Sequence, residues 1–532
     1  MALLEVLALS QASQLPPNPL SFPPCKLYPH TTEQVLSTCE RPSHPVDCCS
    51  DPPAHYLSLL ELAGIFSLST ALHLARRGYT NVTVFDRQTC DELLYSYLDG
   101  ADGASADMNK IVRSAYGARI EYQMLSEEAI PEWKSWNEDI STGVTIPPGM
   151  NKSDRVVIAN GSVSLSVHTE LPPWKMLDIT SPRHRELSAS MGIGYAIEPS
   201  RRSARGLNNV GVLDSTGGMA IADKACRFAQ HKAEKLGAKF LFGSEAGNFS
   251  SLIYRDGSTT VAGIKTGDGK IHPAAMTTMA CGGWTPVLLP RLDGLCEATA
   301  GNVALFKTPT ESPLRARLGP DNSLAWMWNF REGAEGGLYG FLVDENGWFK
   351  IGYRGIKYTN PMKHADGKER STPGTRWSAA HRDGRDPVDD KLTDFPKQAH
   401  AAITKFLAEN LPEIGGAGIG ITKTRICWHT DSFHNHFVVD RMPQMQGLMV
   451  TTGGSGHAFK YLSNIGNWAG VDMSRPAMQV WRWRSLPRGQ SPVNKLMAGP
   501  RSDAAPAAKG ICDTAGRCIE TWRSAKSSPV AL

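Results

Sequence analysis

Arg425-Ile426-Cys427-Trp428-His429-Thr430-Asp431, then His436-Phe437-Val438-Val439-Asp440, then Gly453-Gly454-Ser455-Gly456-His457-Ala458-Phe459-Lys460 are the residues on which the reading of this chain turns. One short run joins a cysteine suited to covalent attachment, an apolar strand that ends in an acid, a glycine-rich turn and a lysine among apolar neighbours. Glycines let the backbone of a turn come close to a bound group. Arg425, two residues from Cys427, favours the thiolate of that cysteine. Most cysteines are simply buried and inert, and that alternative stands at this point. His429, His434 and His436 lack the carboxylate or cysteine company of a metal site and read as strand or loop histidines.

Working outward, a second unit lies near the other end of the ordered body. Leu57–Leu60 reads as a strand and Ala63–Ser67 as a turn. Leu68–Arg77 carries apolar residues at Leu68, Ala71, Leu72 and Ala75, the spacing of a helix with one buried face. Gly78 stands where a helix stop is expected. Asn81–Asp86 reads as a second strand ending in an acid. Strand, turn, helix, strand and acid make a dinucleotide-binding unit, with the helix N-terminus facing a pyrophosphate and Asp86 accepting from a ribose hydroxyl. Against the pattern Gly-x-Gly-x-x-Gly the chain has Leu62, Gly64 and Ser67. Only the central glycine survives, so this motif alone leaves an ordinary βαβ unit equally open.

Other segments fit around these two. Gly217–Ala220 leads into a helix that runs through Lys235, and Ala238–Phe242 follows. Ala280-Cys281-Gly282-Gly283-Trp284 is a small-residue turn after a strand. In Gly103–Gly117, Lys110 and Arg113 are three apart and would share one face of a helix, ordinarily a solvated basic face. Alternation of Phe349, Ile351 and Tyr353 predicts a strand with Lys350 on the opposite face. An exposed lysine is the ordinary reading there.

Together, the run from Arg425 to Lys460, Ser69–Tyr79, Gly103–Gly117 and the segments around Tyr339 and Lys350 resemble the sarcosine oxidases and fructosyl amino acid oxidases, over about residues 64 to 484. The resemblance implies FAD held through a thioether at Cys427. It implies a substrate carboxylate clamped by Arg113 and Lys460, a group near flavin and substrate at Lys110, a pocket tyrosine at Tyr339, and a lysine that meets oxygen at Lys350. It assigns cofactor contacts to Gly64, Ser67, Asp86, Ser105, Lys110, Gly282, Trp284, Cys427, Gly454, Gly456, His457 and Lys460. Arg354 departs from both groups, which carry histidine or an acid at that position. An arginine suits a second carboxylate on a larger substrate. Gly355–Asn360 continues as in fungal saccharopine and pipecolate oxidases. Trp481–Arg484 resembles the family's structural Trp-Arg-Trp segment.

Composition bounds the rest. With a net charge of +4 and no dense Lys/Arg block, a nucleic-acid partner is not expected. The apolar runs are too short to span a membrane. Eleven scattered cysteines, an odd number, suit reduced thiols in an intracellular protein, cytoplasmic or peroxisomal. The Pro- and Ser-rich ends, 1–54 and 487–532, read as a disordered leader and tail. The expected fold is α/β. A Rossmann-like FAD-binding domain comes from separated segments (55–118, 205–300 and 420–486), with an α+β substrate domain on a mixed or antiparallel sheet (119–204 and 301–419). The expected activity is oxidation of a secondary amine on an N-substituted or cyclic α-amino acid by a monomer that uses oxygen. A deglycating fructosyl amino acid oxidase is one alternative. An inactive flavin-fold protein, suggested by the degraded glycine motif, is the other.

Overall fold

Gly64 is extended (φ −87°, ψ −175°) and hands its carbonyl to the N–H of Leu68 at 2.9 Å, closing the first turn of the helix Ile65–Arg76. The computed structural model describes residues 64–98, 101, 103–116, 119–166, 177–329, 336–374, 395–471, 476–484, 509–510 and 521–522. The strand expected at Leu57–Leu60, Leu62 of the glycine motif and the leader lie outside them. The helix begins three residues earlier than its spacing predicts, because Ile65, Phe66 and Ser67 are buried and wind on as its first turn. It stops as expected: Gly78 takes φ +84°, and the N–H groups of Gly78 and Tyr79 return to the carbonyls of Ala75 and Leu74.

Thr83–Asp86 pairs in parallel with Lys239–Phe242, and the helix Ala222–Lys235 precedes that partner strand. Thr277–Met279 pairs in parallel with Leu448–Thr452, which turns back antiparallel to Val438–Arg441. Beside these lies a helix of 23 residues, Ile120–Thr142, whose buried Tyr122, Leu125, Ala129, Trp133, Trp136 and Ile140 recur every three or four residues. Its Trp133 donates to the Lys460 carbonyl at 2.7 Å, so the helix braces the end of the glycine turn.

The second structural mass is a mixed nine-stranded sheet. Its core is three 12-residue strands, Cys296–Lys307, Trp348–Thr359 and Ile421–Ser432, the first pairing antiparallel with both others. Leu305 stands opposite Lys350, Val303 opposite Gly352 and Gly301 opposite Cys427. Because side chains alternate, one face carries Phe306, Phe349, Ile351, Tyr353 and Trp428, which share a core with Ala399, Ile403 and Phe406 of the helix Lys397–Asn410. The opposite face carries Lys350, Gly352, Arg354, Arg425, Cys427 and His429. Ser162–Ser166 and Val210–Asp214 extend the sheet, and Lys509–Gly510 pairs with Tyr358–Thr359.

The helix expected around Lys110 and Arg113 is not formed. Asn109–Val112 is a strand, antiparallel to Gly218–Ile221 with Lys110 opposite Ala220. The backbone bonds of that pairing outweigh the helical spacing of two basic residues. The chain leaves the strand after Val112, and the N–H of Ser114 is held by Asp214 at 2.8 Å. Among the described residues no helix is long and apolar enough to cross a membrane.

A candidate active site on one face of the sheet

Asp107 is the hub of the site. Its Oδ2 accepts from Lys110 at 2.7 Å and from Lys350 at 2.8 Å, and its Oδ1 lies 3.8 Å from Arg425. Lys350 also donates to the Asn109 carbonyl at 2.6 Å and is wholly buried. Burial is itself a cost for Asp107, but Lys110, Lys350 and Arg425 more than offset it and hold the carboxyl far below its usual range. For Lys350 burial prevails over the help from Asp107, and its pKa falls to about 8. Lys110, also desolvated, is carried the other way by Asp107 and is raised. The Tyr339 ring occupies the space a side chain at Gly352 would need, its ring carbon 2.1 Å from the position of a Cβ there. Burial raises its hydroxyl to about 12. Cys427 is buried with Tyr97, Val303 and Leu305. Arg425, on the same strand face, donates to the carbonyls of Gly103 and Ala106 and lies over Tyr97, 4.4 Å from the ring centre. The sheet face thus brings Lys110, Tyr339, Lys350 and Cys427 together around one carboxylate.

A second group forms on the glycine turn. Lys460 donates to the His457 carbonyl at 2.6 Å and to the Tyr116 hydroxyl at 2.8 Å. Arg354 donates to the adjacent Gly456 carbonyl at 2.9 Å. Gly456 has φ +67°, and a Cβ there would stand 1.6 Å from the Arg354 guanidinium, so only glycine admits it. Arg113 lies over Tyr116, 4.8 Å from the ring centre. Burial and Arg113 lower the Lys460 pKa, against the pull of Tyr116. Burial works to raise the Tyr116 hydroxyl, but Lys460 and Arg113 outweigh it and lower it. His457 is driven well below its ordinary value by burial and by Lys460, and is neutral. Among the described residues, Arg113, Lys460 and Arg354 hydrogen-bond to no carboxylate. The buried Nε of Arg354 has no acceptor.

The remaining positions lie along a path from the first helix. The Ile65 N–H donates to Ser105 Oγ at 3.2 Å, tying the helix start at Gly64 to the loop that leads to Asp107. Ser67 is buried inside that helix. Asp86 ends its parallel strand and accepts from the Gln88 N–H at 2.8 Å. Trp284 turns to Arg87, 4.5 Å from its ring centre, rather than to the sheet face. The Gly282 carbonyl accepts from Thr430, and the Thr430 carbonyl accepts from Ser455 at 2.9 Å, so the Gly282 turn, the Cys427 strand and the glycine turn are one connected unit. Gly454 packs on Ala458 and Phe66. His434 and His436 hydrogen-bond to Ser432 and Tyr122. Asp107, Tyr116 and Gly352 were not assigned roles from sequence, and His429 was read there only as a strand or loop histidine. An acid three residues before Lys110 was the available signal for Asp107. Gly352, alternating with Lys350 and Arg354, was the one for the floor beneath Tyr339.

The family model for FAD dependent oxidoreductases, DAO, matches residues 63–470, and the chain belongs to that family. L-saccharopine oxidase of Schizosaccharomyces pombe is 24% identical over 79% of this chain and 91% of its own length. Peroxisomal sarcosine oxidase of Mus musculus is 22% identical over 76% of this chain and 88% of its own length. The crystal structure of the deglycating fructosamine oxidase of Aspergillus fumigatus, Amadoriase II, superposes with a TM-score of 0.65 at 24% identity. It covers 90% of this chain and 100% of the other, a likeness of fold. The protein is therefore an FAD-dependent oxidoreductase. Its residues fit the cofactor on chemical grounds. A 12-residue helix offers its N-terminus at Gly64 beside Ser105, a parallel strand ends in Asp86, and a buried thiol and cations share one sheet face.

Proposed function

We propose that this protein oxidises the secondary amine of an N-substituted or cyclic α-amino acid, of the saccharopine type, to an imine that water hydrolyses, with oxygen reduced to hydrogen peroxide. The observation that carries this reading is the convergence of Arg113, Lys460 and Arg354 on one turn, where among the described residues none of the three hydrogen-bonds to a carboxylate. Bound FAD supplies the two-electron chemistry; the protein binds, orients and sets charge. Gly64, Ser105 and Asp86 hold the dinucleotide, and the turns at Gly282–Trp284 and Gly454–His457 approach it. Lys460 and Arg113 hold the α-carboxylate, with Tyr116 between them, its hydroxyl accepting from Lys460 and its ring beneath Arg113, and Tyr339 walls the pocket. Arg354 receives a second carboxylate, its bare Nε–H supplying the donor. No general base is required when the substrate amine arrives neutral. Segments 55–118, 205–300 and 420–486 make the flavin side of a monomer in the cytoplasm or peroxisome, and 119–204 and 301–419 the substrate side.

The test is peroxide release across saccharopine, pipecolate, sarcosine and a fructosyl amino acid. Saccharopine should outperform sarcosine, and Arg354→Glu should reverse that order. Equal rates for acidic and neutral N-substituents would sink the assignment of Arg354. A preference for the fructosyl substrate would favour a deglycating enzyme, against which Arg354 already counts, since a cation there repels no acid and recognises no neutral sugar by charge. No peroxide with any of them, from protein that carries flavin, would leave an inactive flavin-fold protein.

Two further outcomes follow from the same reading. A charged hydrogen bond contributes about 1.5–3 kcal/mol, so Arg113→Met or Lys460→Met should weaken substrate by roughly ten- to a hundredfold while flavin content holds. An unchanged Michaelis constant would displace the clamp. Cys427 carries the flavin covalently: acid precipitation should leave the yellow colour in the pellet, and Cys427→Ala should release it to the supernatant. Free colour from the unmodified protein would refute the linkage.

A further inference from the structure

We propose that His429 is the positioning residue that holds Arg354 in place for the second carboxylate, as the middle link of a hydrogen-bonded chain that starts at the Cys427 carbonyl. The inference rests on the reading of Arg354 given above. His429 lies two residues beyond Cys427 on the same strand face, and its Nδ1 is 3.2 Å from the Cys427 carbonyl. Its Nε2 is 3.3 Å from an Arg354 guanidinium nitrogen. A carbonyl only accepts and a guanidinium only donates. Both contacts are satisfied together by one species alone, the neutral imidazole with its proton on Nδ1 and its lone pair on Nε2. That assignment follows from the partners, as tautomers must.

The surroundings keep His429 in this state. The charged groups that face it are Arg354, Lys357 and Asp431. Burial lowers the imidazole pKa to about 3, with Arg354 and Lys357 acting in the same direction and Asp431 opposing them. Asp431 is engaged through its Oδ2 by Lys357 and by the Thr299 hydroxyl, and its Oδ1 stands 3.6 Å from the His429 Nε2, beyond hydrogen-bond reach and farther than Arg354. Thr299 lies 3.3 Å from Nε2 but gives its proton to Asp431, so the Nε2 lone pair is left to Arg354.

Two anchors therefore fix the guanidinium, the Gly456 carbonyl on one nitrogen and His429 on another, and among the described residues the Nε edge has no hydrogen-bond partner. Arg354 would otherwise be a long side chain with many rotamers. Held at two points, it presents a set plane to a carboxylate, whose fork geometry rewards a fixed guanidinium. The backbone of Gly301 lies beside this pair without crowding it. A Cβ there would come no nearer than 3.9 Å to Arg354 and 4.0 Å to His429. The same imidazole that aims Arg354 is bonded to the peptide of Cys427, so the side of the site that selects substrate is tied to the strand proposed to carry the cofactor.

The test uses purified flavin-loaded protein and compares two non-oxidisable anions, glutarate and acetate, by flavin absorbance titration. Dissociation constants are measured for the unmodified protein and for Arg354→Leu, His429→Leu and His429→Gln. Glutarate should bind more tightly than acetate, and Arg354→Leu should collapse that ratio. His429→Leu should reduce the ratio about tenfold, the scale of one lost charge-assisted hydrogen bond. His429→Gln, whose amide oxygen can accept from Arg354, should recover most of it. With saccharopine as substrate, the loss in His429→Leu should fall on KM more than on kcat. The ratio is taken within each preparation, so a partly unfolded sample does not distort it. If Arg354→Leu collapses the ratio and His429→Leu does not, the role of His429 is overturned while Arg354 keeps its own. If His429→Gln loses as much as His429→Leu, acceptance at Nε2 is not what matters. If Arg354→Leu leaves the ratio intact, the second-carboxylate reading itself fails.

Discussion

Lys350→Met should slow reoxidation by oxygen about a hundred- to a thousandfold, the cost of removing one preorganised charge at a developing anion, while leaving reduction by substrate much closer to normal. The lysine is wholly buried, bonded to Asp107 and to the Asn109 carbonyl, and stands on the same sheet face as Cys427. In the role the family resemblance implies for it, its charge would act where oxygen takes on an electron and would have no comparable task while the amine is oxidised. Mixed anaerobically with substrate, the variant should bleach; when air is admitted, its colour should return slowly. Stopped-flow absorbance reads both steps. Fast reoxidation with slow reduction would move Lys350 to the substrate pocket. The pH dependence has a definite sign. The charged form is the helpful one and prevails below the folded pKa, which burial lowers to about 8. Reoxidation in the unmodified enzyme should therefore fall as pH rises through about 8, and the Met variant should lack that fall.

The sequence disclosed the alternating strand around Lys350, the helix that ends at Gly78, the helix through Lys235 and the small-residue turn at Gly282, because each is written in local periodicity or in glycine placement. It misled at Lys110 and Arg113. Their spacing suits a helix, but the choice between helix and strand there is made by Gly218–Ile221, more than a hundred residues away, which offers a pairing edge. Nor did local pattern reveal that Lys350 is buried, since its neutralising carboxylate comes from a distant loop. The same holds for Arg354. Its departure from related oxidases was visible in the residue itself, but its two anchors, the Gly456 carbonyl and His429, converge only in the folded chain. The degraded glycine motif proved a weak guide in the opposite sense. The helix forms from Gly64 with a fully buried first turn and keeps its N-terminus beside Ser105.

Asp107→Leu should destabilise the protein by about 3–5 kcal/mol, the cost of stranding buried charges by removing their partner. Lys110 and Lys350 share its Oδ2, and Arg425 stands 3.8 Å from its Oδ1. Three cations would then face one another in a buried site. Urea unfolding followed by tryptophan fluorescence measures the loss, and a change below about 0.5 kcal/mol, the scale of an ordinary surface substitution, would show that the cluster is already relieved by solvent. Coupling provides the sharper check. In the double variant Asp107→Leu/Lys350→Met one stranded charge disappears along with the carboxylate, so the pair should cost clearly less than the sum of its single changes. The acid dependence follows from the depressed carboxyl. Because its folded pKa lies far below the unfolded value of about 3.9, its contribution is complete above that value and fades as pH falls below it. The unmodified protein should thus lose stability relative to Asp107→Leu on strong acidification, the two curves converging at low pH. Parallel curves throughout would mean that Asp107 is not charged in the folded chain, and the hub would have to be redrawn around a neutral acid.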